Sequence, residues 1–210
     1  SVRKAYNEVI KKIEERELQL PICLVSLMIT VLMGFWLVGS DMQMILRWYL
    51  VLLLLGIVGL PITNVTLGEF GNLGYVFSKV IGLFVTSFIM WLLSFWHILE
   101  FSVVNCIVVV GILGILIYCI SFAINHNKGD VSDVFGRIIG FHNYSLDKLI
   151  TFEIVFLLIF VLINWYLGQH IPGNGTERLM NISFMKSIDK SVYMSPYDSW
   201  AANECINYYY

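Results

Sequence analysis

Long apolar runs broken by short polar stretches dominate the chain from residue 19 to residue 169. A helix rises about 1.5 Å per residue, so roughly 20 apolar residues cross a bilayer. Five runs come near that length, at about 20–39, 42–60, 76–99, 103–124 and 149–167. The pattern predicts an all-α integral membrane protein with five transmembrane helices. Pro21 falls in the first turn of the first run, where a missing N–H costs little. Pro61 is expected to end the second. Ahead of the runs, residues 1–18 mix charges with Val9, Ile10 and Ile13 at near-helical spacing. They read either as a short surface helix or as a solvated lead-in.

The pattern changes after the fifth run. Pro172 and the glycines at 173 and 175 break the helix, and Thr176 is placed to cap a new one. Met180, Phe184, Ile188 and Val192 then step by four, with Met185 beside them. That is one apolar stripe on a helix of about 16 residues, too short and polar to span, and expected to lie in the interface plane. Glu177 and Asn181 are four apart and share a face. PYDSW at 196–200 turns the chain, and it stops at INYYY, 206–210. With no apolar run after this loop, the segment reads as the front part of a longer protein.

Composition agrees with the pattern. The chain is 58% hydrophobic and 13% charged, against roughly 25% charged in soluble domains. A net charge of −2 gives nucleic acid nothing to bind. Cys23, Cys106, Cys119 and Cys205 have no paired spacing, and three lie in apolar runs, so neither a disulfide framework nor a metal cluster is expected. The first run is too long for a signal-peptide core.

Charge also sets direction. Arg3, Lys4, Lys11, Lys12 and Arg16 precede the first run. With five crossings the same side receives Lys79, Lys128, Arg137 and Lys148, whereas residues 168–210 carry only Arg178, Lys186 and Lys190. The N-terminus is expected in the cytoplasm and 168–210 outside it, in a multi-pass cell-membrane protein. Within the runs, Lys79, His97, Glu100, Glu153 and Asn164 are polar. Ionisable groups at membrane depth default to function, but all of these except Asn164 lie near a boundary, where snorkelling suffices. The pairs Gly56/Gly59 and Gly111/Gly114 would allow close helix contact, or simply reflect glycine use in membrane helices.

Candidate chemistry concentrates in the tail. Glu177 reads as a general base or metal ligand, or as a first-turn acid favoured by the helix dipole. Asp198 reads as base, ligand or turn residue. Arg178 would contact a phosphate or lipid headgroups. Trp200, Asn207, Tyr208, Tyr209 and Tyr210 would line a substrate pocket, since rings stack on sugar faces and polar groups bond their edges; an aromatic belt is the alternative.

GTERLMN at 175–181, PYDSW at 196–200 and INYYY at 206–210 resemble, in order and spacing, a prokaryotic membrane family of unknown function named for its tyrosine triplet, the "YYY" membrane proteins. GYVFSKVIGL at 74–83 and WLLSF at 91–95 extend the resemblance to about residues 48–210. That family is similar to the membrane glycosyltransferases of the GT-C fold. The resemblance implies that residues 149–210 form a GT-C-like first helix and outer loop. The lead-in 1–18 and a four-helix region, 19–148 with its cytoplasmic loop 125–148, would precede them. It further implies Glu177 and Asp198 as catalytic carboxylates and Arg178 and Asn181 as substrate contacts. Membrane lipid and a polyprenyl-phosphate sugar donor would be its partners, and a divalent cation, Mg or Mn, its cofactor. Three positions depart from the family pattern: Asn181 replaces an acid, Arg178 a lysine, and Ser195 a proline. An acid–amide face holds a cation more weakly than two acids. A transporter, or a non-catalytic membrane partner whose tail docks another protein, are the competing readings.

Overall fold

A computed structural model describes residues 2–67, 73–125, 146–169, 176–198, 201 and 204–206. The described residues form α1 (Val2–Val38), a 3-10 turn (Gly39–Asp41), α2 (Met42–Leu67), α3 (Leu73–Phe95), α4 (Val103–Asn125), α5 (Leu146–Gln169) and α6 (Thr176–Lys190). Val103, Ile107, Ile115 and Ile120 of α4 are among many large apolar side chains left exposed, whereas Thr63, Ser78, Lys79, Ser94 and Glu153 are buried. This inversion of the soluble pattern is what a lipid solvent demands: apolar groups face outward, and polar groups must find partners inside. The fold is an all-α integral membrane protein.

Four runs are long and apolar enough to cross a membrane, and the first, Gln19–Leu67, has 49 residues. At 1.5 Å per residue it would reach about 73 Å, more than twice a hydrocarbon core. It does not run straight. Gly39 sits at φ 60°, a left-handed conformation that glycine adopts without penalty, and the chain reverses there. The reversal is visible on α5. Cys23 of α1 lies against Asp147 and Thr151, and Gly34 against Val161, so α1 runs parallel to α5. Tyr49 of α2 meets Glu153, while Met42 and Ile45 pack with Leu157 and Val161, so α2 runs antiparallel to α5. The first run is therefore two crossings, which makes five among the described residues.

Both membrane-region prolines differ from their expected roles. Pro21 and Pro61 lie inside α1 and α2 rather than at their ends. Pro61 has no N–H to donate to the carbonyl of Ile57, four residues back. The Tyr118 hydroxyl of α4 donates to that carbonyl instead, at 2.9 Å. Membrane helices keep interior prolines where a neighbour re-satisfies the freed group.

The two glycine pairs also separate. A Cβ on Gly82 would collide with the Leu55 carbonyl, and one on Gly59 would stand 2.6 Å from the Gly82 amide nitrogen, so α2 and α3 pack backbone to backbone. By contrast, Gly111 faces open space, and Gly114 would meet only Val58, at 3.5 Å.

The third helix stops at Phe95, short of the expected residue 99. His97 adopts φ 58°, its N–H donates to Ser94 O at 3.1 Å, and Ile98 N–H donates to Leu93 O at 2.9 Å. That is a Schellman C-cap with histidine in the position glycine usually fills. Ser102 then caps α4 by accepting the Asn105 N–H at 3.3 Å.

Candidate functional site

The tail docks on the α3–α4 turn. Phe101 N–H donates to Val192 O at 2.6 Å, and Met194 N–H donates to the Ser94 hydroxyl at 3.1 Å. The His97 and Tyr193 rings lie 4.6 Å apart. Met194, Pro196 and Ile206 are buried beneath the segment. Asp198 N–H donates to Glu204 O at 2.8 Å and Ile206 N–H to Pro196 O at 2.9 Å, closing a short two-strand loop around the Tyr197–Cys205 bridge. The Ser187 hydroxyl donates to Tyr197 O and ties the loop to α6. The described residues of the tail are thus held by backbone and hydroxyl hydrogen bonds at the end of the bundle that carries the α3–α4 turn.

Between α6 and this loop lies an open cleft of about 980 Å³. Asp198, His97, Lys186, Lys190 and Ser187 contribute to its lining. Lys186 and Lys190 are one helical turn apart and share a face. Lys190 also sits in the last turn of α6, where a cation is favoured by the helix dipole. The cleft combines one carboxylate with two ammonium groups, an imidazole and hydroxyls.

Of the residues singled out in the sequence, Asp198 is half-buried and lines the cleft. Asn181 is exposed and lies outside the lining. Glu177 and Arg178 lie in the first turn of α6, and their side chains fall outside the described residues. So do Trp200, Asn207, Tyr208, Tyr209 and Tyr210. Ten residues of helix separate Glu177 from Ser187, about 15 Å along the axis. The stripe of Met180, Phe184 and Ile188 is half-buried, whereas Met185 and Val192 are exposed.

A second polar feature lies inside the bundle. Lys79 Nζ stands 2.5 Å from Glu153 Oε1. Tyr75 donates to the same oxygen at 2.5 Å, and Tyr49 donates to Oε2 at 2.7 Å. The ammonium also sits 5.1 Å from the Tyr75 ring centre and 5.0 Å from that of Phe156. Lys79 and Glu153 are 7% and 8% exposed and pair with each other inside the bundle, rather than extending to water as snorkelling requires. The signal was present in the sequence. Both residues lie one to two turns inside helices that start on the same side, which sets them at one depth.

These features define a class: a polytopic helical membrane protein with a structured loop folded over one end. Residues 85–210 match the model of the uncharacterised membrane protein family DUF2298, and the chain belongs to that family. The match spans the C-terminal half of α3, all of α4, α5 and α6, and the tail. No curated protein and no solved structure matches the chain.

Proposed function

We propose that the protein is a GT-C-like membrane glycosyltransferase, or a diverged relative, which transfers a sugar from a polyprenyl-phosphate donor on the extracytoplasmic face. The observation that carries this reading is the cleft under the docked tail, where Asp198 is grouped with Lys186, Lys190 and His97 at one end of the membrane bundle. The tail motifs and the Lys/Arg asymmetry across the five crossings support it. Cations suit the donor phosphate, and a carboxylate suits the acceptor hydroxyl. In the transfer step the acceptor oxygen attacks the anomeric carbon, and its proton passes to a carboxylate. The bond from that carbon to the phosphate oxygen breaks, and the polyprenyl phosphate leaves with the electron pair.

Asp198 is the carboxylate assigned to the proton. Glu177, about 15 Å along α6 from the Ser187 that ties down the loop, acts at a separate place on the donor or acceptor, with Arg178 beside it. Among the described residues no three His, Cys, Asp or Glu side chains cluster to hold a metal ion. Asn181 in place of an acid weakens the hold on a divalent cation at that face of α6. Transfer from polyprenyl-phosphate sugars by the protein in proteoliposomes tests the reading. Asp198→Asn and Glu177→Gln are expected to lower turnover by about 100-fold or more, the usual scale of acid–base assistance. Absence of donor binding, together with silent variants, sinks it.

A transporter is the second reading, favoured by the buried Lys79–Glu153 pair. Flux that survives Asp198→Asn and is abolished by Glu153→Gln would select it.

A further inference from the structure

A second hollow lies away from the tail cleft, between the Gly39–Asp41 turn and the last turns of α5. We infer that it binds a pyranose ring, either as a free sugar or as the headgroup of a glycolipid. Its volume is about 390 Å³, inside the roughly 300–1,000 Å³ range of small-molecule sites. Asp41 and Trp48 line it from one side, and Asn164, Trp165, Gly168 and Gln169 from the other.

The lining has the donor and acceptor mixture that a polyhydroxylated ring requires. Among the described residues, no protein group bonds to the side chains of Asp41, Trp48, Trp165 or Gln169. Asn164 uses its Nδ2 on the Phe160 carbonyl at 2.7 Å and keeps its Oδ1 as an acceptor. The residues that line the hollow therefore carry a carboxylate, two amide oxygens, one unbonded amide NH2 and two indole N–H groups. Each sugar hydroxyl both donates and accepts, so such a set is used in full. The indole faces supply flat apolar surface for the C–H face of the ring.

Other small ligands fit less well. Among the described residues no Lys or Arg lines the hollow, so an anion meets the repelling charge of Asp41. A quaternary ammonium would use Asp41 and the indoles but would leave both amides idle. An aromatic belt accounts for two tryptophans at a membrane boundary but not for an acid and two amides converging on the same concavity. This inference does not rest on the sugar-transfer proposal, because the lining comes from the α1–α2 turn, α2 and α5.

Gly168 supplies the test. A Cβ added there meets nothing within 4 Å, and its φ is ordinary. Gly168→Phe therefore puts a bulky side chain on the wall of the hollow at a position where its Cβ meets no collision. The full chain, purified without glycoside detergents and placed in phosphatidylglycerol nanodiscs, is titrated with methyl glucoside, methyl mannoside and methyl galactoside by saturation-transfer NMR. A parallel arm carries monoglucosyl diacylglycerol in the disc and reads bound lipid by native mass spectrometry; choline chloride is the control. Binding of a methyl hexoside or of the glycolipid is expected, and the two arms separate the free sugar from the headgroup. Gly168→Phe and Trp165→Ala should each weaken it by at least about tenfold, with the melting temperature of Gly168→Phe unchanged. Binding of choline alone, binding indifferent to both substitutions, or no binding in either arm overturns the inference. Asp198→Asn should leave hexoside binding intact, so a failure of transfer is told apart from a failure here.

Discussion

Lys79 and Glu153, 74 residues apart in sequence, meet at 2.5 Å between α3 and α5, where both are almost fully buried. Removing one partner of a buried pair strands the other charge and costs about 3–5 kcal/mol, whereas replacing both by apolar groups is often tolerated. Glu153→Gln and Lys79→Met should each lower the melting temperature in detergent sharply. The Lys79→Met/Glu153→Met double variant should recover part of the loss, although the Tyr49 and Tyr75 hydroxyls would still lack an acceptor. Additive losses in the double variant would show that the pair is not coupled.

The Tyr118–Ile57 bond makes a similar double test possible. Tyr118→Phe leaves the Ile57 carbonyl without a donor, at a cost of about 1–3 kcal/mol. Pro61→Ala restores the helix's own N–H donor to that carbonyl. The double variant should therefore melt above Tyr118→Phe alone.

Close backbone contact between α2 and α3 predicts opposite outcomes for two glycines. Gly82→Ala drives a methyl into the Leu55 carbonyl and should destabilise the protein strongly. Gly111→Ala enters open space and should be neutral or slightly stabilising, since alanine is the better helix former by about 1 kcal/mol. Thermal unfolding of the two variants side by side decides this.

Ser94 anchors the tail. Ser94→Ala removes the acceptor of the Met194 N–H. A loss of about 1 kcal/mol would raise the open population of residues 191–206 about fivefold. Amide hydrogen exchange over this segment reads the change directly.

Orientation is open to thiol labelling. Cys205 is exposed on the tail loop, and a variant with Cys23, Cys106 and Cys119 replaced by serine keeps it as the sole thiol. A membrane-impermeant maleimide should label Cys205 in intact cells. Labelling only after permeabilisation would place the tail in the cytosol and remove the proposed sugar-transfer function.

The five crossings were legible because each depends on a local property, a run of apolar residues of bilayer length. Helix ends were less so. Pro61 reads as a terminator until a hydroxyl from α4 takes over its bond, and that hydroxyl is 57 residues away along the chain. Phe95 ends α3 because His97 accepts a left-handed conformation, which no apolar pattern encodes. In the tail, Asp198 was found from its motif, but Lys186, Lys190 and His97 were not grouped with it. Their proximity depends on the docking of Met194 onto Ser94, 100 residues apart. The hollow at Asp41 was missed for the same reason: its two walls come from opposite ends of the membrane region.

The parallel pairing of α1 with α5 imposes a timetable on biosynthesis. Cys23 touches Asp147, 124 positions further along the chain. At roughly 5–20 residues per second, a ribosome needs on the order of 6–25 s to supply that stretch. Throughout this interval the first helix is without α5, the neighbour it packs against most, so it must persist in lipid as an unpaired helix until the fifth crossing is made.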